Sequence, residues 1–231
     1  MKKKTAAVLL TGALLSLALC ACSNQDSGQG STPAPGTEGN GESKASTSAL
    51  ATITNKDKDP LALGMTQAEV EAILPMVSGS ESEAMGTTYA YFGTEPENQV
   101  YVGFMDGVAT TLSVGGNFQT QQPLESSNWS LEGVTLGAKR ADVEKALGKP
   151  TKEEPVPITG ADGETTVAEG QVTLQYYYDA DDKLMTEDTQ NAKKVVGILL
   201  NGDKVQSFGT FTLVQSAAAA PTQDEAPEAA E

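Results

Sequence analysis

The sequence of 231 residues predicts an α+β fold with two tandem repeats, each a short helix packed on an antiparallel β-sheet. Three observations predict it: a twelve-residue motif that occurs twice, a group of predicted strands after each copy, and a two-residue turn within each group. A helix on one face of an antiparallel sheet is typical of α+β proteins. Every aromatic residue lies between Tyr89 and Phe211, so the folded part is predicted to cover about residues 61–215.

The two copies of the motif, residues 63–74 and 136–147, align without gaps at an offset of 73, with six of twelve positions identical. In the first copy, Thr66 followed three residues later by Glu69 predicts a capping box at a helix start. Lys139 occupies the position of Thr66 in the second copy, which predicts a weaker start. Apolar residues at helical spacing predict the buried stripes Val70, Ile73 and Leu74, then Val143, Ala146 and Leu147.

Apolar alternation after each motif predicts three strands per repeat. The first three are Thr87–Phe92, Val100–Met105 and Val108–Val114, and the second three are Val172–Tyr178, Val195–Leu200 and Val205–Phe211. Asp106-Gly107 and Asn201-Gly202 each predict a hairpin turn between the last two strands of a group.

The composition outside the repeats predicts three further segments. Residues 22–60 and 216–231 contain no aromatic residue, and such segments cannot bury enough apolar surface to offset the entropy cost of ordering. The predicted organisation is a signal peptide at 1–21, a lipid-anchored flexible linker at 22–60, a first repeat at 61–129, a second repeat at 130–215 and an acidic, Ala-rich disordered tail at 216–231.

The N-terminus predicts export and lipid attachment. Three lysines, at positions 2–4, precede a mainly apolar stretch, residues 5–19, that is too short to span a bilayer. The following run, Leu19-Cys20-Ala21-Cys22, resembles the lipobox of bacterial lipoproteins. This resemblance implies cleavage before Cys22, lipidation of its sulfur and anchoring at the extracytoplasmic face of the cell membrane. A cleaved secretory signal with incidental cysteines is the alternative.

Composition excludes several classes of function. The chain has 15 Lys and Arg against 31 Asp and Glu, and removal of residues 1–21 leaves 12 − 31 = −19. Nucleic-acid binding requires clustered basic residues, so no nucleic-acid partner is expected. The chain has no His, and no Cys after Cys22, which excludes His-based catalysis, zinc fingers and a disulfide framework in the body. No catalytic, cofactor-binding or metal-binding residue is predicted.

Acidic residues are unevenly distributed along the predicted body. Residues 61–129 contain eight acids and no Lys or Arg, whereas residues 130–215 contain fourteen acids and nine bases. One interpretation is that a basic partner is attracted to the first repeat. The alternative is a charged surface that only keeps an exported protein soluble.

Four tyrosines are the predicted binding surface. Tyr89 and Tyr91 share one face of their strand, and Tyr101 and Tyr177 point away from the apolar faces of theirs. If the helices cover the apolar faces, these tyrosines stand on the open side of the sheet, where Tyr is a favoured contact residue. The alternative is that they are half-buried within a curved sheet or between the repeats.

The first motif resembles that of a known family. The pattern Leu63-Gly64-Met65-Thr66-x-x-x-Val70-x-x-x-Leu74, followed by strands, resembles the small outer-membrane-assembly lipoproteins of the SmpA/OmlA (BamE) group. A tandem pair of such units resembles the β-lactamase-inhibitory protein fold, in which two repeats form one concave surface. The resemblance implies a protein that binds other proteins and is not an enzyme. The disulfides of the inhibitor family are absent, so inhibition of β-lactamase does not carry over.

These observations together predict a membrane-anchored lipoprotein with a non-catalytic, inhibitor-like or adaptor-like binding domain. Its expected partner is an envelope or secreted protein, with a basic surface if the acidic half takes part. One alternative is a wall-associated hydrolase that uses paired carboxylates such as Glu153-Glu154 or Glu187-Asp188. The other is a small-ligand or cation receptor, for which residues 179–183 resemble the opening of a calcium loop without its Gly and Glu positions.

Overall fold

The computed structural model describes residues 48–159, 163–187 and 189–213. The predicted signal peptide 1–21, the lipidation site Cys22 and the predicted tail 216–231 lie outside the described residues. The prediction of lipid attachment at Cys22 therefore stays a prediction.

The described chain contains two α-helices and twelve β-strands. The helices are α1 (Gln67–Ile73) and α2 (Arg140–Leu147), and neither of these described helices is long and apolar enough to cross a membrane. The strands are β1 (Thr52–Asn55), β2 (Leu61–Ala62), β3 (Ser82–Ala84), β4 (Thr87–Phe92), β5 (Val100–Met105), β6 (Val108–Val114), β7 (Trp129–Ser130), β8 (Lys152–Thr159), β9 (Thr165–Tyr178), β10 (Leu184–Met185), β11 (Lys194–Asn201) and β12 (Lys204–Thr212).

Nine of these strands form one antiparallel sheet. Its order is β10-β9-β11-β12-β6-β5-β4-β3, and β8 also pairs with β9. The pairing of β6 with β12, in which Val114 lies opposite Phe208 and Thr111 opposite Phe211, joins the two predicted strand groups. The prediction of two helix-on-sheet repeats is therefore wrong, and the fold is mainly β. Separate repeats would leave β6 and β12 as edge strands with unpaired backbone groups, which their pairing satisfies.

One face of the large sheet carries the core. The two helices and a second sheet, with order β2-β1-β7, lie over it, and their apolar side chains form one cluster with those of the large sheet. Trp129 is fully buried in this cluster, and its Nε1 donates to the carbonyl of Asn98 at 2.9 Å. Trp129 is thus a packing residue of the described fold.

The predicted linker boundary at residue 60 also needs correction, because residues 48–60 contain part of the fold. Strand β1 pairs with β2 on one side and β7 on the other, and Ile53 is fully buried between them. The carbonyl of Leu50 accepts a hydrogen bond from Thr210 Oγ1 at 2.6 Å. This four-residue strand has too little apolar content to be recognised by composition, and it is ordered by tertiary partners that lie far away in the sequence.

The two copies of the sequence motif attach to the sheet in the same way. Gly64 N donates to the carbonyl of Ala109 at 2.7 Å, and Gly137 N donates to that of Val205 at 2.8 Å. Both glycines have positive φ, which Gly adopts without the steric cost that other residues pay. The capping box of α1 is present: Glu69 Oε2 accepts from Thr66 N at 2.7 Å, and Thr66 Oγ1 accepts from Glu69 N at 3.3 Å.

The hairpin turns differ in how well the sequence predicts them. Strands β4, β5 and β6 have the predicted bounds, and Asp106 and Gly107 both adopt the positive φ of a type I′ turn. In the second hairpin Asn201 pairs with Lys204, so the turn lies one residue later than predicted, at Gly202 and Asp203.

Candidate functional site

The face of the large sheet opposite the helices is the candidate site, and we call it the open face. Directly paired residues of antiparallel strands point to the same side, so the register identifies its members. One row of paired residues across six strands is Tyr91, Tyr101, Ser113, Gly209, Gly197 and Gln175. The next row is Tyr89, Gly103, Thr111, Phe211, Val195 and Tyr177.

All four predicted tyrosines lie on the open face, but only three of them meet. The rings of Tyr89 and Tyr101 are stacked, with centroids 5.3 Å apart and an interplanar angle of 7°. Those of Tyr91 and Tyr101 are 4.9 Å apart and tilted by 53°. Tyr177 is four strands away from Tyr101, which at about 4.8 Å per strand is about 19 Å. Half-burial, which was the alternative interpretation, also applies, since each of the four is partly exposed.

Phe118 completes the group, and sequence reasoning missed it. Its ring lies 5.5 Å from that of Tyr91, and we call Tyr89, Tyr91, Tyr101 and Phe118 the tyrosine cluster. Phe118 lies in a loop of Gly, Asn, Gln and Thr residues after β6. A single large aromatic in an otherwise polar loop was the signal that could have found it.

The open face is free of charge across most of its width. The two rows of paired residues, which cross six strands, contain no Asp, Glu, Lys or Arg, although 20% of the chain is charged. Charged residues on this face outside the two rows include Lys204, at the start of β12, and Lys152 and Glu154 on β8, which pair with each other at 2.6 Å. The centres of protein interfaces are likewise depleted of charge and enriched in Tyr, Phe and Met.

Glycines beneath the rings allow two aromatic side chains to lie close to the sheet. A Cβ at Gly103 would stand 2.7 Å from Tyr89 Cε1, and one at Gly209 would stand 3.2 Å from Phe211 Cζ. Both distances are shorter than normal van der Waals contact. The position of the Tyr89 ring therefore depends on a glycine in the neighbouring strand, and that of the Phe211 ring depends on a glycine two residues earlier in its own strand.

The environment of the tyrosine cluster keeps the phenol of Tyr101 protonated. Burial, together with the neighbouring phenols of Tyr91 and Tyr89, raises the pKa of Tyr101 to about 12. Burial also raises the pKa of Tyr91. The phenols of Tyr101 and Tyr91 are thus neutral at physiological pH and act as hydrogen-bond donors and acceptors.

Two buried amides hold the loops next to the tyrosine cluster. Gln99 is 1% exposed; its Oε1 accepts from Phe118 N at 3.0 Å and its Nε2 donates to Gln119 Oε1 at 2.7 Å. Asn98 is 6% exposed and bonds Asn55, Asn128 and Glu95 through its side chain. Satisfied polar networks of this kind fix the conformation of the segments they join. The loops on both sides of Phe118 are therefore held rigidly.

A crevice of about 250 Å³ lies between these loops, and we call it the rim crevice. One side is formed by Pro96 and Glu97, which belong to a 3₁₀ turn before β5. The other side comes from the loop that carries Phe118, with residues Asn117, Thr120, Pro123, Leu124, Glu125 and Ser126. Asn117 precedes Phe118 directly, so the rim crevice borders the tyrosine cluster.

Tyr177 belongs to a separate polar group at the other side of the open face. Its hydroxyl donates to Gln175 Oε1 at 2.7 Å, and Gln175 Nε2 donates to Glu154 Oε2 at 3.0 Å. Burial raises the pKa of Tyr177. The open face thus has an aromatic end at β4 and β5 and a hydrogen-bonded end at β8 and β9.

The carboxylate pairs considered for hydrolysis point apart and make structural contacts. Glu153 binds Arg140 through two hydrogen bonds of 2.9 and 2.6 Å, which lower its pKa, while Glu154 contacts Lys152 and Gln175. Glu187 is described but its neighbour Asp188 is not, so that pair lies partly outside the described residues.

The loop that resembles the start of a calcium site is closed by its own backbone. Asp179 Oδ1 accepts from the N–H groups of Asp181 and Lys183, both at 2.9 Å. Asp182 pairs with Lys194, which also donates to Ser48 Oγ at 3.2 Å. In the described ranges no group of three or more Asp, Glu, Cys or His side chains is placed to hold a metal ion.

A second cavity, of about 320 Å³, lies beside α2. It is lined by Ser48, Leu50, Glu132, Leu147, Tyr178 and Asp182, among others. The contact of Lys194 with both Asp182 and Ser48 closes one side of it and attaches the first described residues to the body. These charged groups thus stabilise the attachment of the N-terminal segment.

Comparison with known proteins does not identify a family or a function for the chain. No protein-family model matches the chain, and no curated protein matches it. Among solved structures the chain is similar to an extracellular protein containing a SCP domain from Bacillus anthracis str. Ames, with 10% identity and a TM-score of 0.38. The match covers 64% of this chain and 43% of that one. At this level of similarity, the function has to be inferred from the residues of this chain.

Proposed function

We propose that this protein is a lipoprotein, anchored through Cys22 at the extracytoplasmic face of the cell membrane, with a non-catalytic domain that binds another protein through the open face. The observation that carries the proposal is the pair of charge-free rows on the open face, with their Tyr and Phe side chains, in a chain of formal net charge −16. A solvated face of so acidic a protein would be expected to carry charge. The absence of charge from both rows, across six strands, favours a face that becomes covered.

The rigidity of the surface supports the same proposal. The aromatic side chains stand on paired strands, and Phe118 is fixed through Gln99. A surface that is ordered before binding loses less entropy when a partner docks. Tyr contributes a large contact area with few rotatable bonds and a polar end, and it is one of the residue types that dominate binding energy at interfaces.

The test is a capture experiment with the full-length chain in detergent-solubilised envelope and secreted extracts, at low and at moderate salt. We expect a discrete protein that is retained at both salts and lost from the double variant Tyr101→Ala, Tyr177→Ala. Moderate salt matters because a merely Coulombic association with an acidic surface is screened away.

A matched control distinguishes the open face from other exposed apolar positions. Val167 is 59% exposed on the β9 extension and does not belong to the rows of the open face, so Val167→Ala should retain the partner. Retention of the partner by the double tyrosine variant, or equal loss from Val167→Ala, would contradict the proposed surface. Nothing captured at either salt would contradict the protein-binding function itself.

A further inference from the structure

We infer that the open face docks a protein whose contact patch is apolar at its centre and basic at one edge, with a Lys or Arg side chain that enters the rim crevice. This inference rests on the proposed function and specifies the chemistry of the partner. It also gives the partner an orientation, because it places the basic edge beside the tyrosine cluster and not beside β8.

Charge complementarity is the first argument. All eight charged residues between positions 61 and 129 are acids, so the strands and loops around the tyrosine cluster contain no cation of their own. The opposite end of the open face has both signs, in the Lys152–Glu154 pair. The two ends of the face therefore differ in charge, and the end with the tyrosine cluster is the more acidic one, which attracts a basic edge.

The composition of the rim crevice is the second argument. Its charged residues are Glu97 and Glu125, and neither makes an ion pair in the described part of the chain. Pro96, Pro123 and Leu124 are apolar residues of its lining. Lys and Arg side chains combine a long apolar stem with a cationic end, so they fit a crevice that is lined by both apolar and acidic residues.

The position of the crevice is the third argument. Phe118 contacts Tyr91 with its ring, and its chain neighbour Asn117 lines the crevice. A side chain that occupies the crevice therefore leaves its own backbone next to the tyrosine cluster, where the apolar centre of the partner would lie.

The walls of the crevice are ordered before binding. The carbonyl of Glu97 accepts from Asn128 N at 2.8 Å and from Ser127 Oγ at 3.0 Å, which ties one wall to the other. Leu124 N donates to the carbonyl of Gly115 at 2.8 Å, and Thr120 N donates to Asn117 Oδ1 at 3.0 Å. The crevice thus needs little rearrangement to take a side chain.

The direct test uses the uniformly ¹⁵N-labelled full-length chain in micelles and two probes, N-acetyl-arginine amide and its neutral isostere N-acetyl-citrulline amide. We expect saturable amide shifts at residues 117–126 and at Glu97 with the arginine probe only, with millimolar affinity. Glu97→Gln with Glu125→Gln should weaken this binding at least fivefold. Glu71→Gln with Glu169→Gln, which removes the same charge from exposed positions elsewhere, should leave it unchanged.

Three results would overturn the inference. Equal shifts with the citrulline probe would show that the cationic charge is not recognised. Shifts spread over all acidic segments, or lost equally from both double variants, would reduce the effect to general Coulomb attraction. Calcium chloride producing the same shifts more strongly than the arginine probe would assign the crevice to a metal ion and not to a side chain.

The captured partner separates this inference from the proposed function. We expect Glu97→Gln with Glu125→Gln to slow its association at low salt by at least threefold. A partner that depends on Tyr101 and Tyr177 but associates at an unchanged rate with this variant would refute the basic edge and leave the proposed function intact. A partner whose binding is unaffected by replacement of Tyr101 and Tyr177 would refute the proposed function itself.

Discussion

At the scale of single residues, a few polar groups decide how the candidate surface is built. Gln99 was not predicted to matter, because a Gln within an apolar-alternating strand region carries no distinctive pattern. Its side chain is nevertheless buried and connects Phe118 to the sheet. The tyrosines could be predicted, because strand alternation alone assigns residues to faces. Their contacts with one another could not, since those depend on which strands are neighbours.

Replacement of Gln99 should destabilise the protein and loosen the Phe118 loop. Gln99→Leu leaves Phe118 N without its acceptor, and we expect the free energy of unfolding to fall by about 1–3 kcal/mol. Denaturant unfolding measures this change, and faster hydrogen exchange at residues 117–126 would locate it. Gln122→Ala is the control, since Gln122 is exposed in the same loop and should cost less than about 0.5 kcal/mol. Equal effects of the two variants would contradict the role of Gln99.

Tyr176 differs from Gln99, because its buried hydroxyl group is not satisfied by a hydrogen bond among the described residues. It is fully buried on the core face, and its Oη has no hydrogen-bond partner among the described residues. Tyr176→Phe removes an unsatisfied polar group and keeps the ring, so we expect stability to be unchanged or to rise by about 1 kcal/mol. A loss of more than about 1 kcal/mol in denaturant unfolding would show that the hydroxyl has a partner.

The raised pKa of Tyr101 makes stability depend on alkaline pH. An unfolded tyrosine ionises near pH 10, whereas folded Tyr101 holds its proton to about 12. Its contribution is therefore fully present below pH 10 and is lost as pH rises through 12. The free energy of unfolding should fall more steeply over this range in the natural protein than in Tyr101→Phe. Identical pH profiles for the two would contradict the burial of this phenol.

At the scale of elements, short segments depend most on tertiary partners. The motif helices and strands β4 to β6 follow local patterns that the sequence carries by itself, namely a capping box, period-two alternation and an Asp-Gly turn. Strand β1 lacks any such pattern over its four residues. It exists because β2 and β7, which are far from each other in the chain, present their edges to it.

Removal of the Ile53 side chain tests whether β1 belongs to the core. Ile53 is 0% exposed, and Ile53→Ala should lower the free energy of unfolding by about 2–5 kcal/mol. Thr54→Ala is the neighbouring control, because Thr54 is exposed on the same strand. Denaturant unfolding of both variants gives the comparison. A loss below about 1 kcal/mol for Ile53→Ala would restore the predicted linker boundary at residue 60.

At the scale of the whole molecule, the β6–β12 pairing turns two predicted units into one. Because the core face is shared across this junction, neither half is expected to keep its packing when the other unfolds. This cooperativity depends on the order of the strands in the large sheet, which no local sequence pattern predicts.

A single unfolding transition is therefore expected. Fluorescence of Trp129, the only Trp in the chain, and far-ultraviolet circular dichroism should give the same midpoint in a denaturant titration. Trp129 lies in the shared core, whereas dichroism follows the strands of the large sheet. Two separate midpoints would favour independent halves.

The sequence by itself determined the helix positions, the bounds of β4, β5 and β6, and the acidic character around the tyrosines, because each depends on residue types and short-range spacing. Only the tertiary structure decided that the strands form one sheet, that β1 belongs to the fold, and that Phe118 and the rim crevice lie beside the tyrosine cluster. Strand pairing depends on which backbone edges meet, and short sequence patterns do not distinguish one edge from another. It is decided by the burial and hydrogen bonds of the complete chain.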